Sequence, residues 1–276
     1  MEKIQSALAK ARAERGTQQP VAPTARPEAL MSQPNRSADV SDAWRALPSL
    51  ELDPKHLKRN RILAWEGGKD AINIDMMRTR VLQQMRDNGW RRLAITSPTA
   101  GCGKSTMSLN LALGLQRQSD LRTILMELDL RRPSLKDMAG IRRDMSFSQV
   151  IDGKSRFDEN ALRYGGNLII SANNRPHKNA AELLGGNTMP EVLAQIEETY
   201  APDIMLFDTP PMLATDDMMA FARHMDCVLL VAGSEMTTTK EIDMCERDLA
   251  SQTNVMGVVL NKCRYMGPEY GDGYYA

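Results

Sequence analysis

The sequence predicts an α/β fold, a doubly wound and mainly parallel sheet with helices on both faces, and three observations carry that expectation. From Lys55 onward, short apolar runs alternate with helical stretches, the pattern of strands buried by crossover helices. A glycine-containing loop, SPTAGCGKST over 97–106, follows one apolar run and opens a helical one. Two further apolar runs end in acids, one at Glu127 and Asp129 and one at Asp208. In such sheets ligands bind at the carboxyl ends of the strands.

Taken in chain order, residues 1–15 (MEKIQSALAKARAER) put Ile4, Ala7, Leu8 and Ala11 on one helical face, a short amphipathic helix. Residues 16–54 turn to Gln, Pro, Ala, Ser and Thr, and the prolines at 20, 23, 27, 34, 48 and 54 predict a Pro-rich linker. The nucleotide-binding domain is expected over 55–263. Its strands are expected at 92–97, 123–129, 167–171, 204–208, 227–232 and 255–261, with helices near 104–118, 190–200, 216–223 and 239–251. Residues 264–276 form a tail in which glycines and a proline favour a mobile segment over a packed one.

Composition narrows the function classes. Lysine plus arginine equals aspartate plus glutamate at 35 each, so no global charge points to nucleic acid as a partner. The four cysteines are far apart and no histidine stands at zinc-ligand spacing, so neither a disulfide framework nor a metal cluster is indicated. No apolar run approaches the roughly 20 residues that cross a bilayer. A cytoplasmic protein without direct membrane insertion is the expectation, with membrane association only through a partner.

The loop over 97–106 is built to hold phosphate. Gly101 and Gly103 let the backbone curl so that N–H groups converge on phosphate oxygens, together with Thr99, Ala100 and Cys102. The helix that follows adds its positive end. Lys104 neutralises the terminal phosphates, Ser105 offers a hydroxyl to Mg²⁺, and Thr106 adds a donor, so ATP and Mg²⁺ are the expected cofactors. Pro98 stands where the general pattern has its first glycine. Glu127 and Asp129 are two residues apart and therefore expected on one side of their strand, both facing the phosphates. Asp208, after a four-residue apolar run, suits Mg²⁺ support. Asn261 and Lys262 join the nucleotide-binding set. They begin an N-K-x-D pattern whose aspartate position holds Arg264, so guanine selection is not expected.

Four of the six tyrosines, Tyr265, Tyr270, Tyr274 and Tyr275, fall within the last twelve residues. Downstream of a phosphate-binding loop, such a cluster reads as a set of phosphoacceptors.

These residues resemble the bacterial tyrosine kinases of exopolysaccharide and capsule synthesis over most of 55–276. SPTAGCGKST is similar to that family's Walker A form, ILMELDLRRP to its Walker A′ and LFDTPP to its Walker B, with NAAELL (179–184) and GVVLNK (257–262) in support. The resemblance implies a protein-tyrosine autokinase that phosphorylates C-terminal tyrosines in trans and regulates polysaccharide synthesis and export. It implies Lys104, Ser105 and Thr106 on phosphates and metal, Glu127 or Asp129 acting on the tyrosine hydroxyl, and Asp129 and Asp208 supporting Mg²⁺. The family usually has aspartate where this chain has Glu127, which makes Asp129 the safer candidate. The resemblance implies a homo-oligomer, although the family's oligomerisation helix commonly reads E-x-x-R-x-x-R and this chain departs from it, with Asp75, Arg78 and Arg80 giving D-x-x-R-x-R. A membrane polysaccharide co-polymerase is the implied activator, holding the protein at the inner face of the plasma membrane. Two alternatives stand beside this reading. One is a positioning ATPase of the ParA/MinD type, whose signature lysine five places before Lys104 is Thr99 here. The other is a non-catalytic, nucleotide-dependent scaffold of polysaccharide export.

Overall fold

A computed structural model describes residues 38–263. The helix expected over 1–15 and the tyrosine tail lie outside the described residues. The sheet has seven strands, β1 (Arg92–Thr96), β2 (Thr123–Glu127), β3 (Leu162–Tyr164), β4 (Leu168–Ser171), β5 (Ile204–Asp208), β6 (Cys227–Gly233) and β7 (Asn254–Asn261). Their order is β3-β4-β2-β5-β1-β6-β7. All neighbours pair in parallel except β3 with β4, an antiparallel edge pair the apolar pattern did not announce because β3 is only three residues long.

The strands are apolar on both faces and each face has its own core. One face carries Ala94, Ile124, Met126, Met205, Phe207, Val228 and Leu230. The other carries Leu93, Ile95, Leu125, Leu206, Leu229 and Val231. Alternate residues thus point to opposite layers, as the two-residue period of a strand requires. The chain leaves β1 for β2 on one side and returns to place β6 on the other. This reversal of winding opens a crevice beyond the end of β1, where the phosphate loop sits.

The part of the expected linker that is described is not a linker. Helix α1 (Ala38–Ala46) buries Trp44, which is 2% exposed and donates its indole N–H to the Tyr200 carbonyl at 2.7 Å. Leu47 and Leu50 are buried as well, and Leu50 N–H donates to the Arg163 carbonyl, attaching this segment to β3. One proline read as an interruption acts as punctuation. Pro54 occupies the first turn of α2 (Pro54–Arg59) behind the N-cap Asp53, a position where its missing N–H costs nothing. The folded domain therefore begins by Ala38, well before the expected boundary at 55.

A long helix, α3 (Ile72–Asn88), precedes β1 and ends at Gly89, whose left-handed φ of 67° closes the last turn. Asp75 pairs with Arg78 at 3.0 Å and with Arg117 at 2.7 Å, so the first two residues of the D-x-x-R-x-R pattern are engaged within the chain. Helix α4 (Lys104–Gln116) is buried on all sides between α3 and the sheet. The remaining helices are α5 (Leu135–Ala139), α6 (Phe147–Ile151), α7 (Ala180–Gly185), α8 (Thr188–Tyr200), α9 (Asp217–Ala222) and α10 (Thr239–Ala250). Among the described residues no helix is long and apolar enough to cross a membrane.

Candidate active site

The loop between β1 and α4 takes its shape from two glycines in the left-handed region, Gly101 at φ 84° and Gly103 at φ 94°. A side chain at Gly103 would also collide with the Asn261 amide, so this position excludes larger residues on two counts. Asn261 donates from Nδ2 to the Cys102 carbonyl at 2.9 Å. Its amide therefore braces the loop from the end of β7. Lys262 is exposed beside Met236. On the other side, the segment after β5 is laced to the loop's entry. Met212 N–H donates to the Ser97 carbonyl and Leu213 N–H to the Pro98 carbonyl, both at 2.9 Å, so Pro98 sits in a hydrogen-bonded wall that needs only its acceptor.

The Cys102 thiol is buried, with its sulfur 3.5 Å from the Thr237 hydroxyl and 3.6 Å from that of Thr99. Burial acts to raise its pKa, but the Thr237 and Thr99 hydroxyls together with backbone hydrogen bonds at Thr99 and Gly233 outweigh it and hold the thiol below its ordinary value.

Lys104 is 9% exposed and donates to Asp129 Oδ2 at 2.7 Å, and its Nζ stands 3.4 Å from the Ser105 hydroxyl. Burial acts to lower its pKa. The charges of Asp208, Asp129 and Glu127 overcome that and raise it, so the ammonium stays charged in an enclosed place. Asp208 closes β5, is fully buried, and accepts from the Ser108 hydroxyl through Oδ1 at 3.0 Å. Ser108 lies one turn after Lys104 on α4 and had no motif to mark it. Burial raises the Asp208 pKa against the pull of the Lys104 charge.

Asp208 Oδ2 is buried without a hydrogen-bond partner. An oxygen of this kind, beside a serine hydroxyl at a helix start, fits a hard divalent cation. Among the described residues no three or more His, Cys, Asp or Glu gather as a metal cluster. That suits Mg²⁺, which is commonly held by one or two carboxylates together with substrate phosphates.

The two acids of the β2 end part company. The expectation that both face the phosphates assumed that the strand continues to 129, but β2 stops at Glu127. The N–H groups of Leu128 and Asp129 both turn to the Asp208 carbonyl, at 2.7 and 3.1 Å. Asp129 goes to Lys104. Glu127, 0% exposed, accepts from Leu135 N–H at 2.7 Å and from Ser134 N–H through Oε1, and from Asn173 N–H through Oε2 at 2.8 Å. Both of its oxygens are therefore taken by backbone donors at the start of α5 and beyond the end of β4. Burial pushes its pKa up to about 7, against those three donors. Asn173 completes the joint, with Nδ2 donating to the Glu127 carbonyl at 3.0 Å and Oδ1 accepting from Ser148 N–H at 2.9 Å. No local signal marks Asn173, because its partners lie 46 and 25 residues away.

Arg131, two residues past Asp129, makes a two-pronged bond to Asp217 at 2.7 and 2.9 Å. Asp217 is wholly buried at the start of α9, so the chain leaving Asp129 is anchored on that side too.

A strand, phosphate loop and helix with two acid-bearing strand ends around the loop lysine define a P-loop nucleotide-binding protein. The family model described as ParA, NUBPL iron-transfer P-loop NTPase, matches residues 90–275, and the chain belongs to that family. Its relatives narrow the likeness. The tyrosine-protein kinase ptk of Acinetobacter johnsonii is 30% identical over 216 residues, 75% of this chain and 28% of that protein. The tyrosine-protein kinase etk of Escherichia coli K12 is 28% identical over 190 residues, 68% of this chain and 26% of that protein. The chain spans less than a third of the length of the curated relatives it matches. Among solved structures, the kinase domain of VpsO superposes with a TM-score of 0.64 at 26% identity, covering 76% of this chain and 100% of that one. The kinase domain of Escherichia coli ETK gives 0.59 at 27% identity, covering 69% of this chain and 75% of that one. The resemblance to bacterial tyrosine kinases drawn from the motifs therefore stands.

Proposed function

We propose that this chain is an ATP-dependent protein-tyrosine kinase whose acceptors are the tyrosines of its own C-terminal segment, phosphorylated in trans between copies. The observation that carries the proposal is the enclosed Lys104–Asp129 pair beside Asp208, since it joins a phosphate-binding cation to the two acids that phosphoryl transfer to a hydroxyl needs.

In this reading the backbone around Gly101–Gly103 and the start of α4 receive the phosphates of ATP, and Lys104 neutralises them. Ser105 and Asp208 would hold Mg²⁺, with Asp129 alongside, and that ion supplies charge neutralisation on the phosphate oxygens. Asp129 accepts the proton of the incoming phenol as its oxygen forms the new bond to phosphorus and the bond to the departing diphosphate breaks. A phenol has a pKa near 10, so a carboxylate in hydrogen-bond reach assists its attack. Glu127 acts as a positioning residue, because both its oxygens are engaged with backbone donors. The acceptors are Tyr265, Tyr270, Tyr274 and Tyr275. Thr99, where a positioning ATPase carries its signature lysine, favours the kinase over that alternative.

The wider setting is proposed on the same resemblance. Assembly into a homo-oligomer brings tails to neighbouring sites, and a membrane polysaccharide co-polymerase activates the protein and recruits it to the inner face of the plasma membrane. Its balanced charge gives nucleic acid no part in this reading. The test is to incubate the pure protein with Mg·ATP and map phosphotyrosine by mass spectrometry, with Lys104→Met as control. Phosphate on the four tail tyrosines that disappears in the control is the expected result. ATP hydrolysis without any phosphotyrosine would sink the kinase reading and leave a nucleotide-dependent scaffold or positioning ATPase.

A further inference from the structure

Beyond the phosphate loop, a second concavity lies at the same end of the sheet, about 220 Å³ in volume, between the start of α6 and the loop after β4. That is smaller than the roughly 300 Å³ and upward of pockets for nucleotide-sized ligands, and it suits a single side chain. Its walls carry Ser146, Ser148, Asp152, Lys154, Arg175 and His177. The polar inventory is donor-rich. The Ser146 and Ser148 hydroxyls are 2.9 Å apart, and the one acid, Asp152, is already paired with Lys154. Arg175 is exposed and makes no side-chain hydrogen bond or ion pair among the described residues. His177 Nδ1 is buried without a hydrogen-bond partner. An unengaged guanidinium and two hydroxyls facing one space match an oxyanion, carboxylate or phosphate.

The place of this concavity matters as much as its chemistry. His177 N–H donates to the Leu130 carbonyl at 2.7 Å, so one wall is bonded to the residue next to Asp129. The other wall reaches Glu127 through Ser148, Asn173 and their hydrogen bonds. An anion seated here stands beside the segment that presents Asp129.

We infer that this concavity is a subsite for an acidic side chain of the C-terminal tail of a second copy, holding the tail while a neighbouring tyrosine enters the site. Residues 265–276 carry two acids, Glu269 and Asp272, and no base, and each acid lies within two residues of a tyrosine. For Glu269, reach favours the second copy over the same chain. The tail leaves from β7, five strands from β4, which at about 4.8 Å per strand is about 24 Å. Glu269 is six residues beyond Cys263, at most about 21 Å of extended chain, and falls short, whereas Asp272, nine residues beyond, spans about 31 Å. The inference rests on the kinase reading for its purpose. A phosphate already placed on a neighbouring tyrosine offers the same oxyanion chemistry, and the experiment separates the two sources.

The test is fluorescence anisotropy with the full chain and labelled peptides of residues 264–276, one native, one with Glu269→Gln and Asp272→Asn, and one phosphorylated at Tyr274. Native peptide is expected to bind at least about fivefold more tightly than the neutralised one, and Arg175→Ala to erase that difference. Arg175 is exposed, so an unchanged urea midpoint shows the variant folded. Tighter Arg175-dependent binding of the phosphopeptide names phosphate as the preferred anion, and weaker binding names the carboxylate. If all three peptides bind alike, or if Arg175→Ala changes none of them, the subsite is refuted. Phosphotyrosine mapping is read separately. Autophosphorylation without Arg175-dependent binding overturns this inference alone, and Arg175-dependent binding without phosphotyrosine overturns the kinase reading alone.

Discussion

Glu127 and Asp129 leave the same strand two residues apart and meet opposite surroundings. Asp129 meets a side-chain ammonium in the phosphate crevice at 2.7 Å through Oδ2, and its Oδ1 accepts from a single backbone N–H, that of Arg132, at 3.1 Å. Glu127 meets three backbone N–H groups and no solvent. The Lys104–Asp129 contact is exchangeable, because each of the two charged groups can turn to another partner. The Glu127 arrangement is a joint, since the donors belong to the main chain at the start of α5 and beyond β4 and move only if those segments move. Equal charge and near-equal position thus produce one group available for chemistry and one that fixes the frame around it. Backbone donors, unlike side chains, cannot be redeployed without unfolding local structure.

The comparison is sharpened by substitution. Lys104→Met removes the cation that both the phosphates and Asp129 depend on, and tail phosphorylation should fall by about a thousandfold in a radiolabel assay. A smaller loss would mean that the loop lysine is not the principal phosphate contact. Asp129→Asn keeps the shape but removes the base, and about a hundredfold loss in kcat is expected. Glu127→Gln, by contrast, should stay within about tenfold of the parent in kcat. If the two amide variants are equally impaired, the division of labour between the acids is wrong.

Stability gives the converse contrast. The Glu127 pKa is raised to about 7 in the folded protein, so the folded state holds this proton more tightly than the unfolded chain does. Its contribution to stability is then full below the ordinary carboxylate range and is lost as pH rises through about 7. In urea unfolding, the wild type should lose on the order of 2–3 kcal/mol relative to Glu127→Gln between pH 4.5 and pH 8. A difference that stays flat over that window would show that Glu127 ionises as easily folded as unfolded. Asn173→Ala cuts the bonds to the Glu127 carbonyl and to Ser148 N–H, and should cost about 1–3 kcal/mol at constant pH while leaving ATP affinity unchanged. A parallel loss of ATP affinity would extend the joint's influence into the phosphate crevice.

Much of the architecture was legible because it rests on local pattern. The strand over 204–208 falls where its apolar run placed it, and the helix opening at Lys104 follows from the glycines before it. The expectation failed where local pattern and packing disagree. Residues 38–54 are interrupted by proline, yet Trp44, packed against Tyr200 and Arg122, together with buried Leu47 and Leu50 folds them onto the domain. Burial of these apolar side chains outweighs a weak local preference. The pairing of Glu127 and Asp129 failed for a related reason, because alternation holds only while the strand lasts and β2 ends between them.

The sequence by itself determined the class of this protein, since a phosphate loop, its lysine and the acids that follow are chemical requirements met by residue type and spacing. Only the tertiary structure decided which acid faces the lysine, that Asn261 braces the loop, and that Asn173 and Ser108 take part at all. Those roles depend on hydrogen bonds between segments remote in the chain, whose geometry exists only after the sheet has brought its strand ends together.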